Sequence, residues 1–218
     1  MNWNWDRVTD ALPFLLDGIL VTLRITVLGA LLAYALGLVF ALIRRMRPPV
    51  LNQVVYLFVE LVRSTPLLIQ VFVFFYLLQP AFGLTWSPFI TGVLALGVHY
   101  SGYTSEVYRA GIEAVPKEQW EAATALSLPR PRVWSSVILP QAVPRVLPSL
   151  GNYTISMFKE TPLLLAIGVA DVLNQAREAA SQTFSYVEPV TMAGVFFLAV
   201  SYPASILVRK LERRVGTV

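Results

Sequence analysis

Long apolar runs, interrupted at a few points by charges and prolines, dominate the chain. A bilayer core about 30 Å thick is crossed by roughly 20 apolar residues in helix. Five runs approach or exceed that length: 19–43, 54–78, 89–107, 146–170 and 189–208. The first carries one charge, Arg24, near enough to its start to reach water, and stops at Arg44, Arg45, Arg47, Pro48 and Pro49. In the second, Glu60 and Arg63 lie one turn apart on a helix, where they can pair, and Pro66 predicts a kink or a fresh helix start. The fourth holds Lys159 and Glu160 in its middle, followed by Thr161-Pro162, which cannot continue a regular helix without losing a hydrogen bond. The pattern predicts an all-α integral membrane protein of five transmembrane helices, one domain over residues 1–218.

Composition agrees. Hydrophobic residues are 56% of the 218 and charged residues 14%, too little charge for a water-facing surface when soluble domains carry about 25%. Mean hydropathy is +0.63. An ordinary soluble enzyme, a disordered chain and a coiled coil are excluded. The net charge of +4 does not call for nucleic acid, because the cations sort by side of the predicted membrane. Twelve lie after span one, between spans three and four, or after span five, whereas only Arg7 and Arg177 lie opposite. Positive residues favour the cytoplasmic side, which places the N-terminus outside and the C-terminus inside. Residues 1–14 lack the cationic start of a cleaved signal peptide, and Trp3 and Trp5 read as interfacial anchors. The absence of cysteine excludes disulfides and thiolate metal sites. His99, the sole histidine, cannot build a metal site alone.

Charge inside a bilayer costs about 2.5–3.5 kcal/mol per group at mid-depth, so each such residue needs a reason. Lys159 and Glu160, beside a broken helix, read either as a structural pair near an interface or as the wall of a solute path or gate. Broken helix is tolerated at membrane depth where it faces protein or water. His99, Tyr100, Ser101, Tyr103, Thr104 and Glu106 form a polar patch in span three, with interhelical hydrogen bonding as the simplest role. Arg63, His99, Glu106, Asn152, Lys159 and Glu160 are the candidate lining of a path or gate. Five helices are few to enclose one, which favours a dimer.

The outer loops near 79–87 and 171–188 are too short for a receptor domain. The inner segment 108–145 has room for its own structure. Pro116 suits a first helical turn, with Glu118 and Glu121 near its positive end. Residues 119–126 continue that helix, and Pro129 and Pro131 break it. A second short helix fits 133–138, stopped by Pro140. Ala122, Ala123 and Ala125 would let a partner's backbone approach closely.

Glu121-Ala122-Ala123, with Ile138-Leu139-Pro140 downstream, resembles the EAA motif of permease subunits of binding-protein-dependent ABC importers. YRAGIEAVPKEQWEAA, ILPQAVP, FKETPLL and RSTPLLIQ resemble that family's polar-amino-acid branch, which also includes importers of compatible solutes such as ectoine. One departure is Ser127, where the family usually has Gly. If that position needs positive φ, serine is strained there. The resemblance implies a type I importer permease fold in which segment 108–145 forms a coupling helix docked in a cleft of an ATP-binding subunit. Glu121, Ala122, Ala123 and Ser127 would lie at the docking surface, with Leu139 and Pro140 shaping it. It further implies an external solute-binding protein, a second permease (identical or related) and a place in the bacterial cytoplasmic membrane. The residues fit this. No G-x-x-x-x-G-K-[ST] phosphate loop is present, so the chain is expected to hold no cofactor, with ATP and Mg bound by the partner ATPase. A self-contained secondary transporter or channel is the alternative that Lys159, Glu160 and Glu106 recommend, but no second half completes an inverted repeat. Nothing resembles an enzyme's Ser/His or metal constellation.

Overall fold

The computed structural model describes residues 3–215, which fold mainly as helices, with no strand among them. Helix α1, Trp5–Met46, is the longest at 42 residues, or about 63 Å. It starts well before the predicted boundary at 19. Its first turns carry Asp6, Asp10 and Asp17, which spoil an apolar run. Yet Val8, Ala11, Leu15 and Ile19 form a buried stripe at helical spacing while those acids stay exposed. Asn4 caps α1 by accepting the Asp6 N–H at 2.8 Å.

Helix α2, Pro49–Ser64, begins with proline at its first position, where the missing N–H costs nothing. The chain then breaks at Thr65-Pro66, as the proline predicted. Beyond it come α3 (Leu67–Phe72), a π-helical stretch Val73–Leu78 and α4 (Gln79–Ala81), and the axis turns by 111° at the break. Helix α5, Pro88–Glu113, is capped by Ser87, whose hydroxyl accepts the Ile90 N–H at 3.4 Å. It lies along α1, and the approach is close: a Cβ on Gly37 would collide with the Thr104 side chain. Thr104 Oγ1 donates to the Ala33 carbonyl at 2.8 Å across this seam, an arrangement of small residues and hydroxyl bridges suited to helices without a hydrophobic drive to pair.

Segment 108–145 holds α6 (Lys117–Ala125) and α7 (Arg130–Val133). The second short helix does not stop at Pro140. From α7 the chain passes through a π-helical turn, Trp134–Ile138, directly into α8, Leu139–Glu160. The Leu139 N–H bonds the carbonyl of Trp134, five residues back. This widened turn makes room for the ring of Pro140, which would clash with a regular helix. At the far end Thr161–Ile167 is a 3-10 helix and Gly168 turns left-handed at φ 81°, so the break expected at Thr161-Pro162 is present. The predicted outer loop 171–188 is largely helix α9, Val172–Thr183, capped by Asp171 and packed on the start of α1. Helix α10, Val187–Val215, ends the described chain. Its Glu188 is buried and accepts from Asn4 N, Arg7 Nη1 and Ser185 Oγ at 3.2, 3.3 and 2.5 Å. That carboxylate joins the start of α1 to the start of α10.

Helices α1 and α10 are each long and apolar enough to cross a bilayer, and α2 with α3–α4 adds a third crossing if the bent pair is one span. The main core gathers Ile25, Ala33, Val71, Leu96, Met157 and Leu164 from α1, α3, α5, α8 and the 3-10 helix.

Candidate coupling and translocation sites

Two separate places concentrate the chemistry. The first is the loop between α5 and α8. Helix α6 ends in a Schellman turn: the Leu128 N–H bonds Ala123 O at 3.1 Å and the Ser127 N–H bonds Thr124 O at 2.9 Å. Such a turn puts its central residue in the left-handed region, usually as glycine. Ser127 occupies it at φ 51°. The loop is held from above by stacking. Trp120 and Trp134 meet edge to face at 5.5 Å, and the Arg45 guanidinium at the end of α1 lies 4.8 and 5.1 Å from their ring centres. Beneath them Ile112, Val115, Ile138 and Ala142 form a small core. Of the predicted docking residues Glu121, Ala122, Ser127, Leu139 and Pro140 are exposed. Ala123 is only 3% exposed, so its methyl packs inward and its side chain is not part of the outer surface. A groove of about 630 Å³ runs between α6 and α7, lined by Trp120, Thr124, Ser127, Leu128 and Arg130 among others.

The second place is the break in α2–α3. Pro66 leaves the last carbonyls of α2 without helical donors, which is costly away from water. Gln70 answers this. Its Nε2 donates to Val62 O at 2.7 Å, Thr65 O at 3.2 Å and Thr65 Oγ1 at 2.7 Å. Its Oε1 is then left to accept, and His99 Nδ1 lies 3.1 Å away, which puts the imidazole proton on Nδ1. His99 is thus a buried, bonded packing residue. Around it Tyr100, Tyr103 and Tyr153 pack ring against ring. Tyr100 donates to Glu160 Oε2 at 2.8 Å. Arg63 pairs with Glu60 at 3.5 Å, as the spacing predicted, and stacks over Tyr103 at 5.6 Å.

Arg63, His99 and Glu160 therefore gather in one polar cluster, and the other three predicted path residues do not. Lys159 and Glu160 diverge instead of pairing, because neighbours on a helix point about 100° apart: Glu160 turns to Tyr100 while Lys159 is exposed. Glu106 is bound by Arg44 and, at 2.7 Å, by Arg109. Asn152 donates to Glu212 of α10 at 3.0 Å. A groove of about 370 Å³ between α5 and α8 nevertheless runs from Tyr103 and Tyr153 past Glu106 to Arg145. Sequence reasoning missed Gln70. Its signal was present, since a proline that breaks a helix at membrane depth frees carbonyls that need new donors, and Gln70 lies four residues after Pro66.

A profile of the family described as binding-protein-dependent transport system inner membrane component matches residues 33–217. The chain belongs to that family. Relatives within it include a probable amino-acid ABC transporter permease protein, y4tG, of Sinorhizobium fredii (strain NBRC 101917 / NGR234), 46% identical over 92% of this chain and 87% of the relative. The glutamine transport system permease protein GlnP of Escherichia coli (strain K12) is 34% identical over 98% of both chains. The arginine transport system permease protein ArtQ of Bacillus subtilis (strain 168) is 32% identical over 98% of both. Among solved structures, a crystal structure of an amino acid ABC transporter with histidines superimposes with TM-score 0.91 at 33% identity, over 98% of this chain and all of that one. An inward-facing MetNI methionine ABC transporter shares the fold at TM-score 0.76 and 18% identity, covering 93% of this chain and 96% of that one. As the membrane component of an ABC system the chain is a non-enzymatic subunit, and ATP hydrolysis resides in a partner.

Proposed function

We propose that this chain is the permease of an importer for polar amino acids or related small zwitterions, with ectoine-type solutes inside the same chemical class. The observation that carries the reading is the full-length likeness, at TM-score 0.91, to an amino acid ABC transporter. The permeases named for glutamine and arginine transport support the solute class. On this reading the chain crosses the cytoplasmic membrane five times, N-terminus outside and C-terminus inside. A solute-binding protein delivers the ligand externally. A second permease, identical or related, completes the path along the α5–α8 groove, and the Arg63, His99, Glu160 cluster stands at its head.

Coupling runs through α6. The exposed Glu121, Ala122 and Ser127 face the ATP-binding subunit, which binds ATP and Mg, while Leu139 and Pro140 flank them. Arg45, stacked on Trp120 and Trp134, joins this surface to α1. Glu121→Lys reverses an exposed charge without touching the core. It is expected to abolish ATP-dependent uptake in proteoliposomes and weaken capture of the ATPase, with membrane insertion intact. Capture of the ATPase at the wild-type level would remove α6 from the interface. The permease reconstituted without its ATPase should carry no solute uphill, and sustained uphill flux would return the secondary-transporter alternative.

A further inference from the structure

A cleft of about 460 Å³ opens where the end of α1, the start of α2 and the end of α5 meet. Arg44, Arg45, Arg47 and Arg109 line it, together with Asn52, Tyr56 and Glu113. Its charges do not cancel. Glu106 is shared by Arg44 and Arg109, and Glu113 pairs with Arg109 at 2.6 Å. Two carboxylates thus face four guanidinium groups. Arg45 is spent on tryptophan rings, and it is attracted to them without being neutralised. Arg47 closes α1 in the left-handed conformation, φ 52°, and Pro48 and Pro49 follow it. That turn sets Arg47 on the cleft wall beside Asn52 and Tyr56, which add an amide and a hydroxyl donor. A concave set of donors with two surplus positive charges suits a phosphate monoanion.

The flank of the cleft identifies the source of that phosphate. Leu42, Met46, Val50, Leu51, Val54 and Leu57, on the adjoining turns of α1 and α2, are all more than 40% exposed. They continue the lipid-facing surface of both helices to the edge of the cleft. We infer that the cleft holds the phosphodiester headgroup of an anionic phospholipid, whose acyl chains lie along this apolar flank. Basic pockets between helices at the cytoplasmic surface recognise lipid headgroups in this manner. Arg45 lines the cleft and also clamps Trp120 and Trp134, so the bound lipid steadies the same residue that holds the inner loop. The inference rests on the membrane placement above and is independent of the solute.

The test uses the permease–ATPase complex in a neutral detergent. Dioleoylphosphatidylglycerol, dioleoylphosphatidylcholine and inorganic phosphate are titrated separately, reading melting temperature and the lipid retained in native mass spectrometry. Phosphatidylglycerol should be retained and should raise the melting temperature, with phosphatidylcholine and phosphate ineffective at equal concentration. Arg47→Gln should weaken phosphatidylglycerol binding about fivefold while leaving lipid-free melting unchanged, and Arg47→Lys should restore most of it. Asn52→Leu, which leaves every arginine in place, should weaken binding in the same direction. Equal retention of the two lipids, or unaltered phosphatidylglycerol binding in both Arg47→Gln and Asn52→Leu, overturns the site. An equal response to inorganic phosphate overturns the lipid as its ligand. Complexes that still pump solute in either case leave the proposed function standing.

Discussion

Gly18 is the point at which α1 admits α9, and it supports a sharp quantitative expectation. A Cβ at that position would stand 2.8 Å from Val172 Cα and 3.0 Å from both Asp171 O and Val172 N. All three obstacles are backbone, so no side chain can rotate away. Gly18→Ala must therefore push the start of α9 off α1 by a fraction of an ångström. Such overpacking costs about 1–3 kcal/mol. The shift also stretches the bond from Val172 N to Thr22 Oγ1, already 3.2 Å long, at about 1 kcal/mol if lost. Alanine returns about 1 kcal/mol through its helix propensity, leaving a net loss of roughly 1–3 kcal/mol. Gly194, in α10, has nothing within 4 Å of its would-be Cβ, so Gly194→Ala should be neutral or stabilising by up to about 1 kcal/mol. Hydrogen exchange of the α9 amides provides the assay. Gly18→Ala should accelerate it roughly 5- to 150-fold, and Gly194→Ala should leave it unchanged. Equal protection in the two variants would refute the tight α1–α9 contact.

Two further expectations concern single side chains. Ser127→Gly should stabilise the turn after α6 by up to about 1 kcal/mol, because glycine lacks the Cβ strain of the left-handed region but loses more chain entropy. Slower hydrogen exchange at residues 126–128 would register it, and faster exchange would show that serine is unstrained there. Asp171 is fully buried, its Oδ1 accepts the Asn174 N–H at 2.9 Å and its Oδ2 has no partner. Burial pushes its pKa up to about 6 from an ordinary 3.8. The folded protein then binds this proton more tightly than the unfolded chain, so stability is highest below pH 4 for this group. It is lost as pH rises toward 6, by on the order of 2–3 kcal/mol. Asp171→Asn keeps a capping oxygen and should flatten that part of the stability–pH curve. An unchanged slope between pH 4 and 6 would place the titration elsewhere.

Apolar run length made the membrane class and the stop after Arg44 and Arg45 readable from the chain alone, because partition into lipid depends on local composition, and the α6 helix was readable from Pro116 and the glutamates of its first turns. Prolines were readable as breaks at Pro66 and Pro162, where the freed carbonyls find side-chain or 3-10 partners. Pro140 obeyed the same local chemistry with the opposite result. A π-helical turn just before it widened the helix, and packing of Ile138 and Ala142 against Ile112 and Val115 holds that turn in place. The early start of α1 was hidden for a related reason. Asp6, Asp10 and Asp17 look disruptive in a linear window, but at helical spacing they fall on the side away from α9 and α10.

The EAA-like stretch was likewise visible as a motif, whereas which of its residues face outward was not. Ala122 and Ala123 are neighbours of identical chemistry, and only the fold turns one out and the other in. Helical spacing separates Lys159 from Glu160, but only the packed Tyr100 decides that Glu160 is the one that turns inward. Local composition and hydrogen-bonding capacity decide whether a segment enters lipid and where a helix is under strain. Direction is different: which side chain meets which is set by contacts between residues far apart in the chain, such as Gln70 with His99 or Arg45 with Trp134, and those exist only once the helices have packed.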